Sequence, residues 1–193
     1  MVGLITNLSL PNNPTKPLLI FVGGALDHRY KPLLEGVYQP YHFYHSRHQD
    51  IHYALHSERK SILKWVKHWH DHAQSVCLIG HSWGCQSILD NAHKIELKNS
   101  IDLLITLDPV SRKFINQRAK KPHSVKRWLN VYIDGKQSRL ERSNLIAILG
   151  GRWDYRENAD ENICLQQQLG EEVTHAKARL MFAVVEEELE RVV

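Results

Sequence analysis

The stretch Ser75-Val76-Cys77-Leu78-Ile79-Gly80-His81-Ser82-Trp83-Gly84-Cys85 decides the reading of this chain. Val76–Ile79 is a short, continuous apolar run, the pattern of a strand buried on both faces. After it, Cys85, Ile88, Leu89, Ala92 and Ile95 recur at helical spacing and form one apolar face. Between strand and helix stands Gly80-x-Ser82-x-Gly84. A serine on so sharp a strand-to-helix turn needs tiny neighbours for the backbone to close. It also ends at a helix N-terminus, where backbone N–H groups favour developing negative charge. Ser82 is therefore the candidate nucleophile. Three fixed positions in five residues are a weak pattern alone; the strand before and the helix after make it specific.

Working outward, three more apolar runs read as buried strands: Leu18–Val22, Leu103–Leu107 and Leu129–Ile133. A weaker strand is expected through Tyr41–His45. Helical spacing joins Leu55, Ile62, Val66, Trp69 and Ala73. It recurs at the end of the chain in Ala178, Met181, Val184, Val185, Leu189 and Val192, opposite an acidic face of Glu186, Glu187, Glu188 and Glu190. Strands alternating with helices predict βαβ units in a three-layer α/β/α sandwich with a mostly parallel sheet. With 193 residues and no internal repeat or long linker, residues 1–193 are expected to form a single domain.

Composition narrows the function classes. Hydrophobic residues make up 42% and charged residues 24%, ordinary globular usage that excludes disordered and collagen-like chains. A formal charge of +4 is mildly basic, without the concentrated stripe of a nucleic-acid binder. The densest basic stretch, Arg118-Ala119-Lys120-Lys121 with Lys126-Arg127 nearby, reads as a solvated loop. Cys77, Cys85 and Cys164 are odd in number and scattered, which argues against a disulfide framework or a zinc knuckle. No basic, apolar leader opens the chain, and no run approaches 18 apolar residues. A cytoplasmic location without an integral membrane segment is the expectation.

The pentapeptide Gly80-His81-Ser82-Trp83-Gly84, with its strand and helix, resembles the nucleophile elbow of α/β-hydrolase-fold lipases and esterases. The resemblance runs from about Leu18 to the C-terminus. It implies a truncated sheet, because only 17 residues precede Leu18 and the family often carries two strands there. It also implies an oxyanion hole built from the backbone N–H of Trp83 and from the loop Gly23-Gly24-Ala25-Leu26-Asp27, with Gly24 and Ala25 as donors.

A serine hydroxyl needs a general base, usually a histidine oriented by a carboxylate, and in this fold the chain order is Ser, acid, His. Of 13 histidines, only His93, His123 and His175 follow Ser82. His93 lies in the helix directly after the turn, and His123 precedes the last strong strand. His175, in Val173-Thr174-His175-Ala176, follows every strand candidate and resembles the family's late histidine loop. For the acid, Thr106-Leu107-Asp108-Pro109 at a strand end resembles pancreatic-type lipases and favours Asp108. Asp134, in Tyr132-Ile133-Asp134-Gly135, ends the next strand, the commoner family position, and stays an alternative; Asp154 and Asp160 stand behind both. Asp-Pro and Asp-Gly are also plain turn formers.

Other constellations are bland by comparison. His48, His52 and His56 would share a helix face if that region were helical, and His68, His70 and His72 cluster, but no His-Glu-x-x-His pattern or third carboxylate completes a metal site. Gly23-Gly24 lacks the Gly-Lys-Ser/Thr of a phosphate loop, and no dinucleotide fingerprint follows a strand. Trp65 and Trp69 read as a helix's core face, whereas Trp83 adjoins Ser82 whatever the helix phase. The expected activity is cleavage of a small-molecule carboxylic ester through a Ser82 acyl-enzyme, with no cofactor and no metal. A thioesterase or phospholipase would use the same machinery, including a toxin-like lipid hydrolase; a catalytically silent hydrolase-fold binding protein is the rival of another class.

Overall fold

The computed structural model describes residues 4–25, 27–96, 98, 100–111, 120–133, 142–165, 167–168 and 171–192. In chain order these form β1 (Leu18–Gly23), α1 (Asp27–Tyr30), a π-helical turn (Leu34–Tyr38) running into α2 (Gln39–His45), β2 (Asp50–Leu55), α3 (Arg59–Asp71), β3 (Val76–His81) and α4 (Trp83–Ala92). They continue as β4 (Ile101–Leu107), β5 (Val125–Ile133), α5 (Arg142–Gly150), β6 (Glu161–Leu165), a small hairpin of β7 (Gln167–Gln168) and β8 (Glu171–Glu172), α6 (Ala178–Ala183) and α7 (Glu186–Glu190).

Six strands form one sheet in the order β2-β1-β3-β4-β5-β6, and every neighbouring pair is parallel. The four apolar runs of the sequence are its centre. Parallel strands buried on both faces cannot alternate polar with apolar residues, so β1 and β3 are buried at all six positions. Strand periodicity still sorts the residues between the two faces. Leu19 and Phe21 pack with Tyr38, Tyr41, Met181, Phe182 and Leu189 on one side. Leu18, Ile20 and Val22 pack with Ile62, Trp65, Val66, Trp69, Ile88 and Leu89 on the other. The result is the expected three-layer α/β/α sandwich. Trp65 and Trp69 stack at 5.1 Å within that second face, as core.

The chain runs from β1 outward to β2, returns past β1 to β3, and then adds β4, β5 and β6 in succession. The winding direction therefore reverses between β1 and β3. The crevice at the carboxyl ends of strands on either side of such a reversal is where this architecture binds ligands. Gly24 follows β1 and Ser82 follows β3, so both stand at that point.

Three expectations are corrected. Tyr41–His45 is not a strand but most of α2: Val37, Tyr38 and Tyr41 bury at helical spacing while Phe43 and Tyr44 stay exposed, and Pro40 occupies the first turn, where its missing N–H is harmless. The edge strand lies at Asp50–Leu55 instead, so His48, His52 and His56 do not share a helix face. The C-terminal helix is two short helices, broken where Val185 leaves helical geometry (φ −124°) yet remains buried. β6 escaped the sequence reading because Glu161-Asn162-Ile163-Cys164-Leu165 is an edge strand with polar positions. Asp134 lies outside the described residues. No described helix is long and apolar enough to cross a membrane.

Candidate active site

The turn after β3 is as strained as its motif requires. Ser82 sits at φ 56°, ψ −125°, a conformation non-glycine residues seldom adopt. A Cβ on Gly84 would lie 2.0 Å from the Val22 carbonyl oxygen, and one on Gly80 2.8 Å from the Cys85 backbone nitrogen. Those two glycines let α4 close against β1 and β3. The Ser82 N–H donates to the Leu107 carbonyl at 3.1 Å, and the Ser82 carbonyl accepts from the Val110 N–H at 3.2 Å. The serine turn is thereby tied to the turn that follows β4.

Asp108 begins that second turn, also at positive φ (41°), with its N–H donating to the Val131 carbonyl at 2.8 Å. It is fully buried. His175 arrives from the loop before α6. Its Nδ1 lies 2.6 Å from Asp108 Oδ2 and its Nε2 lies 2.9 Å from Ser82 Oγ. In the tautomer that satisfies both partners, Nδ1–H donates to the carboxylate and Nε2 accepts from the hydroxyl. Three residues chosen from different ends of the sequence therefore meet in one hydrogen-bonded row. Trp83, Gly24 and Ala25 line the same cavity, of about 300 Å³, into which Ser82 and His175 open.

The other candidates fall elsewhere. His93 caps the far end of α4 and His123 is exposed in the turn before β5. Asp160 is bound to the Trp128 N–H at 2.7 Å and to Lys121 at 2.6 Å, and Asp154 is exposed.

Two functional neighbours went unnoticed in the sequence. Arg152 grips Asp108 with both arms, Nε to Oδ1 and Nη2 to Oδ2, each at 2.7 Å. An isolated arginine in Gly150-Gly151-Arg152-Trp153 carries no signal of this; only the fold brings it 44 residues back. Burial opposes ionisation of Asp108, but the hydrogen bonds and charges of His175 and Arg152 outweigh it and hold the carboxyl down at about 2.

The second is His81, the variable position inside the motif. It is buried beneath His175, with ring centroids 5.0 Å apart at 28°. Its Nε2–H donates to the His175 carbonyl at 2.9 Å, which anchors the histidine loop to the serine turn. Burial, and next the charge of His175, push the His81 imidazole down to about 3. The unfolded chain thus binds a proton between pH 6.5 and about 3 that the folded chain refuses. Stability from this group is present above the unfolded value and is lost as pH falls through that window. Urea midpoints measured from pH 7 to 4 should decline, and His81→Gln should flatten part of the decline; an unchanged slope would mean that the buried ring contributes nothing.

The loop after β1 is shaped by Asp27. Its carboxylate accepts from the Leu33 N–H at 2.8 Å, the Leu34 N–H at 3.3 Å and the Tyr53 hydroxyl. Burial pushes its pKa up against those bonds. Gly24, three residues earlier, lies so close to the serine that a Cβ there would stand 2.7 Å from Ser82 Cβ and 3.1 Å from its Oγ. Gly24→Ala keeps the backbone N–H but must displace Ser82, and a misplacement of about 1 Å is expected to lower kcat about 100-fold. Wild-type kcat in a folded Gly24→Ala protein would show that this close approach is dispensable.

Comparison with known proteins agrees on architecture. No protein-family model matches the chain, and no curated protein matches its sequence. Among solved structures, it is similar to a protein of unknown function from Agrobacterium tumefaciens described as a candidate α/β hydrolase, with a TM-score of 0.57, 11% identity, and coverage of 93% of this chain and 87% of that one. It is also similar to the mature lipase BlEst2 of Bacillus licheniformis, with a TM-score of 0.51, 13% identity, and coverage of 92% of this chain and 93% of that one. At such identities the likeness is one of fold. The chain has the α/β-hydrolase fold.

Proposed function

We propose that this protein is a serine hydrolase that cleaves carboxylic esters through a Ser82 acyl-enzyme. The observation that carries the proposal is the row Ser82 Oγ to His175 Nε2 at 2.9 Å and His175 Nδ1 to Asp108 Oδ2 at 2.6 Å, set on a strained turn facing a cavity. A structural histidine would not need a serine hydroxyl on one nitrogen and a buried carboxylate on the other.

In this reading Ser82 Oγ attacks the ester carbonyl as its proton passes to His175 Nε2. The carbonyl π electrons move to oxygen, and the N–H groups of Trp83 and of Gly24 or Ala25 receive the charge. Asp108 holds the imidazole tautomer and stabilises the imidazolium. His175 then gives its proton to the departing alcohol. Water, deprotonated by the same nitrogen, attacks the acyl-enzyme, and collapse returns the proton to Ser82 and frees the acid. The cavity favours an uncharged acyl group: Pro32, Val110 and Ala147 contribute to its wall, and the oxygens of Asp27 already accept hydrogen bonds.

Covalent labelling with a fluorophosphonate, read by intact mass and peptide mapping, tests the proposal. One adduct on Ser82 is expected, absent from Ser82→Ala. Folded wild-type protein that takes no adduct would overturn it in favour of a silent binding protein.

A further inference from the structure

We infer that Arg152 is a positioning residue for Asp108, its planar fork fixing the rotation of the carboxylate and so the direction in which Oδ2 meets His175. The inference rests on the serine hydrolase reading of the site.

The pairing is built, not incidental. Gly151 turns at φ 91°, a conformation suited to glycine, and residues 151–153 then run antiparallel to 109–111. The Ser111 N–H donates to the Gly151 carbonyl at 3.0 Å, and the Trp153 N–H donates to the Pro109 carbonyl at 2.8 Å. The Trp153 indole N–H donates to Ser111 Oγ at 2.8 Å, and the Arg156 guanidinium covers the Trp153 ring at 4.3 Å. These contacts clamp Arg152 to the turn that bears Asp108. Its side chain is 4% exposed and that of Asp108 is 0% exposed.

A planar fork on both oxygens fixes the rotation of the carboxylate, and hence the direction in which Oδ2 meets His175 Nδ1. It also places a cation beside the buried anion, which helps keep the Asp108 carboxylate ionised against its burial.

Among the described residues, other polar groups near the row are held differently. His81 lies under the His175 ring and donates to its backbone carbonyl, and Asp27, in the cavity wall, is held by its own hydrogen bonds.

The test measures fluorophosphonate labelling of Ser82 in wild type, Arg152→Gln and Arg152→Lys, resolved into probe affinity and maximal rate, beside the proton NMR resonance of His175 Nδ1–H. Arg152→Gln should keep probe affinity, lose maximal rate about tenfold and move that resonance. Arg152→Lys, which keeps the charge but not the fork, should show the same losses. Wild-type rate and resonance in folded Arg152→Gln, or full rescue by Arg152→Lys, would overturn the inference. If Arg152→Gln does not fold, Arg152→Lys decides by the same two readouts. If wild type takes no adduct, the hydrolase reading fails separately, and the His175 Nδ1–H resonance in the same variants still shows whether Arg152 orients the carboxylate.

Discussion

Ester turnover by Ser82→Ala should fall roughly 10⁵- to 10⁶-fold, the loss that follows when a serine nucleophile is removed from a cooperating set. The remainder would come from the cavity and the backbone donors, which the substitution leaves in place. Alanine keeps the strained φ of 56° and removes only the hydroxyl that meets His175. Unfolding free energy should therefore stay within about 1 kcal/mol of wild type. Kinetics on p-nitrophenyl esters of graded length, with urea unfolding on the same preparations, separate chemistry from folding. A variant that retains even a tenth of the turnover would place the nucleophile elsewhere.

Asp108→Asn should do damage on two levels. The asparagine side chain no longer holds the His175 tautomer or balances the imidazolium, and kcat should drop by about 10⁴-fold. It also strands Arg152, a buried cation, without its counter-charge, which should cost about 3–5 kcal/mol of stability. The pH dependence carries its own signature. The Asp108 carboxyl lies at about 2 in the folded protein against 3.8 ordinarily. The stability it confers is therefore present above the ordinary value and is lost as pH falls from about 4 to about 2. At 1.36 kcal/mol per unit this is on the order of 2 kcal/mol. Urea unfolding at pH 7 and pH 3 should show Asp108→Asn weaker at the higher pH and closer to wild type at the lower. Equal stability at pH 7 would mean that the Arg152 pair contributes nothing net to folding.

The two predictions differ because the residues do. Ser82 was legible from its immediate neighbours: glycines at positions 80 and 84 and a buried strand before them state a local backbone requirement. His175 was legible by order, as the late histidine after the strand candidates. Asp108 had a rival in Asp134, because in the sequence both follow apolar runs and both sit in turn-forming dipeptides; the row to His175 joins Asp108, while Asp134 lies outside the described residues. Tyr41–His45 misled because aromatic residues suit strands, yet burial of Val37, Tyr38 and Tyr41 follows helical spacing.

What the sequence by itself determined is what depends on neighbours within a few residues: the apolar runs of the central strands, the helix after Ser82 and the glycine-flanked turn. Periodicity and steric need act over that range, so they are written locally. What only the tertiary structure decided is what depends on distance in space: the reversal of winding between β1 and β3, His81 beneath His175, and Arg152 closed on Asp108. Those contacts join residues 44 to 94 positions apart. Charge and hydrogen bonding act through space, so a lone arginine or histidine becomes part of the site only when the folded chain brings its partner to it.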